Sequence, residues 1–159
     1  MNALEILHYG HRDTLAVFEG LNGDEWNRPG VTSGWSPKDV LAHLTSFELV
    51  LEDVMKSVLG RGPTPALEAF TRHHGSFNEA QVAARRGRPP DAILEEYVAA
   101  HERVMALAGE LGPKRLRETG TIPWYGADYA LDDFVVYANY AHKREHCAQL
   151  KLFRRRPRD

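Results

Sequence analysis

The chain has one cysteine in 159 residues, Cys147, so no disulfide can form within it, and a lone thiol suits a reducing compartment. It has no apolar run of membrane-spanning length, and Met1 leads straight into a polar-patterned helix rather than a signal peptide. The cytoplasm is the expected location. Nor is charge of one sign in excess: 20 Lys+Arg against 22 Asp+Glu leaves a formal net charge of -2. No global basic field therefore recruits nucleic acid or an anionic membrane. Strand-type alternation is almost missing, as are internal repeats and domain-sized linkers. What is there is ordinary for a soluble protein, 43% hydrophobic and 26% charged residues. The length suits a single domain over residues 1–159 with a sizeable core.

Four long stretches carry apolar residues at helical spacing. The first includes Leu4, Leu7, Leu15, Phe18 and Leu21, and predicts a helix near 2–21. Gly20, Gly23 and Asn27-Arg28-Pro29-Gly30 then give a connecting loop, from which Trp26 covers the core. The second begins at the sharpest start signal in the chain. Ser36 is a good N-cap, Pro37 suits the first helical position, Asp39 lies three residues after the cap, and Trp35 can staple against Val40. This helix is expected over 36–59. The third, over 90–111, opens at Asp91 and closes at Gly112-Pro113. The fourth, over 131–152, carries Asp132 and Asp133 in its first turn, where the helix dipole favours acids.

Between the second and third helices, Gly60 to Pro65 and Arg85 to Pro90 read as loops, with at most a short helix over Phe77–Ala84. His73-His74 are consecutive and cannot share a helical face, and the Arg85-to-Arg88 cluster reads as a solvated turn. The 113–130 segment, with Trp124, Tyr125 and Tyr129, is too aromatic for a passive linker and reads as a loop folded over one end of the helices. The Arg154-to-Asp159 tail reads as frayed and solvated. The predicted class is all-α, a four-helix bundle.

The chemistry-bearing stretch is Tyr140-Ala141-His142-Lys143-Arg144-Glu145-His146. Two histidines four apart on a helix stand one turn above the other on one face. Imidazole is the commonest metal ligand, so such a pair can hold two corners of a coordination shell. Leu131, Phe134, Val135, Ala138 and Ala141 mark an apolar stripe that His142 continues, which points the pair toward a core. His43 lies on the edge of the second helix's stripe beside Phe47; alone it reads as a core histidine with a polar partner. His11 and His101 also fall on apolar stripes.

Trp35-Ser36-Pro37-Lys38-Asp39-Val40-Leu41-Ala42-His43-Leu44 resembles the signature of the DinB-like superfamily, with His142-x-x-x-His146 as its second half. The stretch from Phe77-Asn78-Glu79-Ala80 to Arg88-Pro89 is similar to the branch holding the mycothiol-dependent maleylpyruvate isomerases and the colibactin-resistance hydrolases. The resemblance implies a metal bound by His43, His142 and His146, a long connection between the second and third helices, and a homodimer. Three neutral nitrogen donors would leave positions open for water or substrate, as in a catalytic zinc site. Zinc and nickel lead the expected metals, with iron and manganese also compatible, since imidazole discriminates poorly among them. A low-molecular-weight thiol is a further implied cofactor. This chain lacks the additional C-terminal domain of the isomerases, so maleylpyruvate itself is not the expected substrate.

His142-Lys143-Arg144-Glu145-His146 also matches the inverted zinc-peptidase pattern H-x-x-E-H. That pattern needs a further carboxylate ligand well downstream, and the sole acid after His146 is the terminal Asp159. The peptidase reading fails on length. Glu145 and Cys147 both turn off the ligand face, the cysteine reading as a buried small hydrophobe. Two function classes remain. One is a metal-dependent enzyme that transfers a thiol or adds water to an electrophilic small molecule, in detoxification or stress response. The other is a non-catalytic metal- or ligand-binding stress protein.

Overall fold

A computed structural model describes residues 2–157, and the described residues are helical with no strand, only isolated bridges at Thr32–Trp35 and Thr119–Ala130. The helices are α1 (Ala3–Phe18), α2 (Gly23–Asn27), α3 (Pro37–Val58), α4 (Pro65–Arg72), α5 (Phe77–Arg85), α6 (Pro90–Leu116), α7 (Leu131–Phe134) and α8 (Ala141–Arg155), with a π-helical segment, Val135–Tyr140, joining α7 to α8. The all-α, DinB-like expectation is met. α1, α3, α6 and the run from α7 to α8 are the four long members, and none of the described helices is long and apolar enough to cross a membrane.

α3 begins where its local signals place it. Ser36 Oγ accepts from the Asp39 N–H at 3.2 Å, and Asp39 Oδ2 accepts from the Ser36 N–H at 3.1 Å, a reciprocal capping box. The turn before it runs Thr32-Ser33-Gly34-Trp35, with Ser33 and Gly34 both at positive φ (47° and 79°). Gly34 adopts that backbone without steric cost and so lets the chain reverse. Trp35 and Val40 are both buried in one apolar cluster, as the staple requires. α6 carries a break at Gly112 (φ 71°), which ends its regular part where the Gly-Pro pair stands.

The 60–90 segment differs from expectation. It holds two helices, not at most one, and both pack on α3. α4 lacks a cap of its own, because Thr64 makes no side-chain bond; Asp53 of α3 instead accepts from the Ala66 and Leu67 N–H groups at 2.7 and 3.2 Å. α5 is fastened by Trp35 Nε1 donating to Glu79 at 3.0 Å and by Arg85 donating to Glu96 of α6 at 2.8 Å. Arg85 is buried rather than part of a solvated turn. These are contacts between residues far apart in sequence, so no local pattern announces them.

Two smaller expectations stand differently. Trp26 sits in the short α2 rather than a loop, stacked on Phe18 with ring centroids 5.4 Å apart. Of the basic tail, Arg154 donates to the Val17 and Glu19 carbonyls and Arg156 to that of Gly30, so this part is tied down. Arg158 and Asp159 lie outside the described residues. The aromatic 113–130 segment does fold back: Trp124 packs edge-on against Phe70 of α4 and Phe134 of α7.

Replacing Ser36 by Ala removes one half of the capping box, at a cost of about 1 kcal/mol. Thermal unfolding should fall by roughly 2–4 °C for a chain of this size. An unchanged midpoint would mean that Asp39 alone caps α3.

Candidate metal centre

His43 comes from the second turn of α3, His142 and His146 from the first two turns of α8. The structure brings all three together. His43 Nε2 lies 2.8 Å from His142 Nε2, and His142 Nε2 lies 3.0 Å from His146 Nε2. One ligand atom from each falls within 4.8 Å of the other two, an arrangement that could hold a metal ion. His43 and His146 are buried and His142 half-buried.

The three neutral rings cannot all satisfy one another in this geometry. A neutral imidazole carries one N–H and one lone-pair nitrogen. His146 Nδ1 is 2.8 Å from Gln149 Oε1, and a carbonyl oxygen only accepts, so Nδ1 carries the proton. Gln149 in turn donates from Nε2 toward Glu145 at 3.4 Å, which holds its amide in that orientation. His146 Nε2 therefore presents a bare lone pair to its two neighbours. His142 Nε2 faces nitrogens on both sides and can make a good hydrogen bond to only one of them. Three Nε2 atoms so placed could hold a metal ion.

Electrostatics keep the rings neutral and hence able to ligate. Burial depresses His43 to about 3, helped by repulsion from His142 and His146. Burial depresses His142 to about 4, helped by His146 and the Lys143 ammonium. His146 is lowered by burial, against the opposing effects of its Gln149 bond and Glu145. The surrounding groups are aromatic: Trp35 and Phe47 each sit with ring centroids 5.0 Å from His43, and Phe47 lies 4.6 Å from His142. A surface cleft of about 500 Å³ touches none of the three histidines; surface charges of both signs line it, Asp24 and Arg156 among them.

The chain belongs to the family described as the mycothiol maleylpyruvate isomerase N-terminal domain. The match covers residues 7–135. It therefore contains His43 and ends before His142. No curated protein and no solved structure matches. Membership in this family accords with the DinB-like arrangement of the helices and suggests a mycothiol-related, enzyme-like domain.

The π-helical segment is what the sequence reading missed. An α-helical stripe through Ala138 and Ala141 would keep both alanines inward, yet Ala141 is exposed while Asn139 and Lys143 are buried. The wider turn changes the phase of everything after it. A second polar cluster forms as a result. Glu48 is fully buried, its Oε1 accepting from Asn139 Nδ2 at 3.1 Å and paired with the Lys143 ammonium. His101 Nδ1 stands 3.6 Å from Glu48 Oε2, and His11 stacks on His101 with centroids 3.7 Å apart. Burial alone would raise the Glu48 carboxyl, but the Lys143 ammonium and the nearby His101 ring hold it well below the usual range. His11 and His101 thus wall this cluster. They do not form a second metal site, because rings stacked in parallel aim their lone pairs past each other. Cys147 is buried against Thr14 at 3.8 Å, as a small hydrophobe should be, and Glu145 is exposed. His73 and His74 are exposed and outside the triad, although His74 packs on Phe70.

Because His11, His43 and His142 titrate lower in the fold than in the unfolded chain, the unfolded chain binds more protons below pH 6.5. Metal-free protein should show a flat melting temperature from pH 8 to 7. It should then lose stability progressively as pH falls from about 6.5 toward 3–4. Calorimetry showing stability that rises over that acid window would contradict buried neutral rings.

Proposed function

We propose that His43, His142 and His146 hold one divalent metal, and that the protein is a metal-dependent enzyme acting on an electrophilic small molecule. The observation that carries this is the convergence of three Nε2 atoms within hydrogen-bond distance in a buried aromatic setting. A divalent cation there supplies Lewis acidity, lowering the pKa of a water or thiol or polarising a carbonyl. The family's link to mycothiol favours a low-molecular-weight thiol as nucleophile, with water as the alternative. In thiol transfer the sulfur would bond to the electrophilic carbon as that carbon's bond to a leaving group breaks, the leaving group keeping the electron pair and the thiol proton passing to solvent. In hydrolysis a water oxygen would take the sulfur's place, the same bond breaking and the water's proton passing to the leaving group. Zinc or nickel is the proposed ion, with iron and manganese also compatible, since imidazole discriminates poorly among them. Detoxification or stress response in the cytoplasm is the matching role, and a homodimer the matching assembly.

This chain's residues do the positioning. Gln149 and Glu145 fix the His146 tautomer, so that Nε2 faces inward. Trp35 and Phe47 shield the rings from water and thereby keep them unprotonated. A second reading, a non-catalytic metal- or ligand-binding protein, draws on one observation: the rings against His43 are aromatic and offer no proton-transfer group.

Metal analysis of purified protein should give about one zinc or nickel per chain. His142→Ala should abolish tight binding while leaving helical content and most of the core intact, since little apolar area is lost. Unchanged stoichiometry in that variant would end the triad reading. Chelation separates the two classes: an enzyme's metal-free bundle should stay folded, whereas a structural metal would take the fold with it. Sedimentation at high micromolar concentration should show a dimer, and a monomer there would remove the assembly from the proposal.

A further inference from the structure

The two helices that carry the histidines are joined a second time, deeper in the protein. Glu48 stands five residues after His43 on α3; Lys143 follows His142 on α8, and Asn139 is the last residue but one of the π-helical segment. The Glu48 carboxylate meets both, pairing with the Lys143 ammonium and accepting from Asn139 at 3.1 Å. Glu48, Lys143 and Asn139 are 0%, 2% and 3% exposed, so none of this is a surface ion pair.

Stability does not explain such a cluster. Burying a charged pair costs desolvation that its mutual attraction often fails to recover, and apolar side chains of similar volume frequently do as well or better. What a buried ion pair has that an apolar contact lacks is a directional demand on position. On an α-helix, five residues amount to about 7.5 Å of rise and about 140° of rotation. The Glu48 link therefore grips α3 on a different side and at a different height from His43. One link between two helices leaves them free to pivot about it. Two links, offset in height and angle, set both their translation and their rotation.

The π-helical segment makes this demand specific. A turn closed by i→i+5 bonds takes one residue more than an α-turn of the same height. Every position after it is thus rotated by about 100° relative to a regular helix. That rotation turns Asn139 and Lys143 to the inside and sets the face on which His142 and His146 stand. Glu48 bonds to the last turn of the segment and to the first turn of α8, so it rewards this phase and no other. His101 of α6 stands 3.6 Å from the second carboxylate oxygen.

We propose that Glu48, with Lys143 and Asn139, is a positioning unit that sets the phase of α8 and so brings His142 and His146 onto His43. It rests on the metal reading of the triad for its functional meaning, although not for its geometry. The role is through the helix, with no contact to a metal or substrate required.

The test uses the full chain, cobalt(II) as the probe and the double variant Glu48→Gln/Lys143→Met, which removes both charges and orphans neither. Circular dichroism should show the wild-type helical content, while the cobalt Kd weakens by about 10- to 100-fold and the cobalt absorption spectrum changes. Wild-type affinity with a wild-type spectrum would overturn the proposal. Should the double variant not fold, Asn139→Ala takes its place, removing one bond to Glu48; weakened cobalt binding supports the proposal and unaltered binding overturns it. Metal-free NMR separates this claim from the metal reading. If wild-type protein takes up no cobalt, that reading fails. The positioning claim is then decided by ring-to-ring contacts among His43, His142 and His146: lost in the variant, they support it; unchanged, they defeat it.

Discussion

α3 is enclosed on every side, and this one circumstance governs the rest of the structure. Fifteen of its 22 residues are buried, and six of those are polar: His43, Thr45, Ser46, Glu48, Glu52 and Asp53. A buried polar group without a partner is costly, so each must be answered from within the protein. Thr45 and Ser46 turn back onto carbonyls of their own helix. The others reach outward, and each fastens a neighbour. Asp53 starts α4, Glu52 takes Lys56 and Arg103 of α6, Glu48 takes Asn139 and Lys143, and His43 takes the histidines of α8. The apolar clusters fill the space around α3, but its polar side chains decide which helix lies where.

The legible parts of this arrangement are local ones. A cap, a proline at the first position and an acid three residues on are neighbours in sequence, so Ser36 to Asp39 could be read directly. The same holds for the break at Gly112 and for the histidine pair four apart. His43 became a candidate through resemblance to a DinB-like signature, because a single histidine on an apolar stripe looks like any core histidine. Contacts made across the fold left no trace in the chain. Nothing near Thr64 indicates that Asp53 will cap α4, and nothing near Arg85 indicates Glu96. The π-helical segment escaped for a different reason. Residues 131–142 fit an α-helical stripe well, and the competing phase is chosen by Glu48, 91 positions before Asn139 in the chain.

The family match and the site divide the chain unevenly. Residues 7–135 carry the match, including the capped α3 and His43, whereas the two remaining histidines lie past its end. The site is thus assembled from a part that resembles known domains and a part whose placement depends on packing against it. This is why its geometry had to come from the fold: the helix carrying His142 and His146 has exposed residues on much of its surface, and its orientation is held by a few buried contacts.

Trp35 gives this centre an optical handle. Its indole lies with its ring centroid 5.0 Å from that of His43 and is fixed there by its bond to Glu79. An open-shell ion such as nickel or cobalt held by His43 would sit close enough to drain the excited state of that indole, whereas closed-shell zinc would leave it bright. Trp26 stacks on Phe18, and Trp124 packs edge-on against Phe70 and Phe134; neither has a ring contact with the triad like that of Trp35, so they contribute a steadier background. With an ion bound at His43, the protein would carry its own fluorescent gauge of which ion that is, built from the residue that precedes the cap of α3.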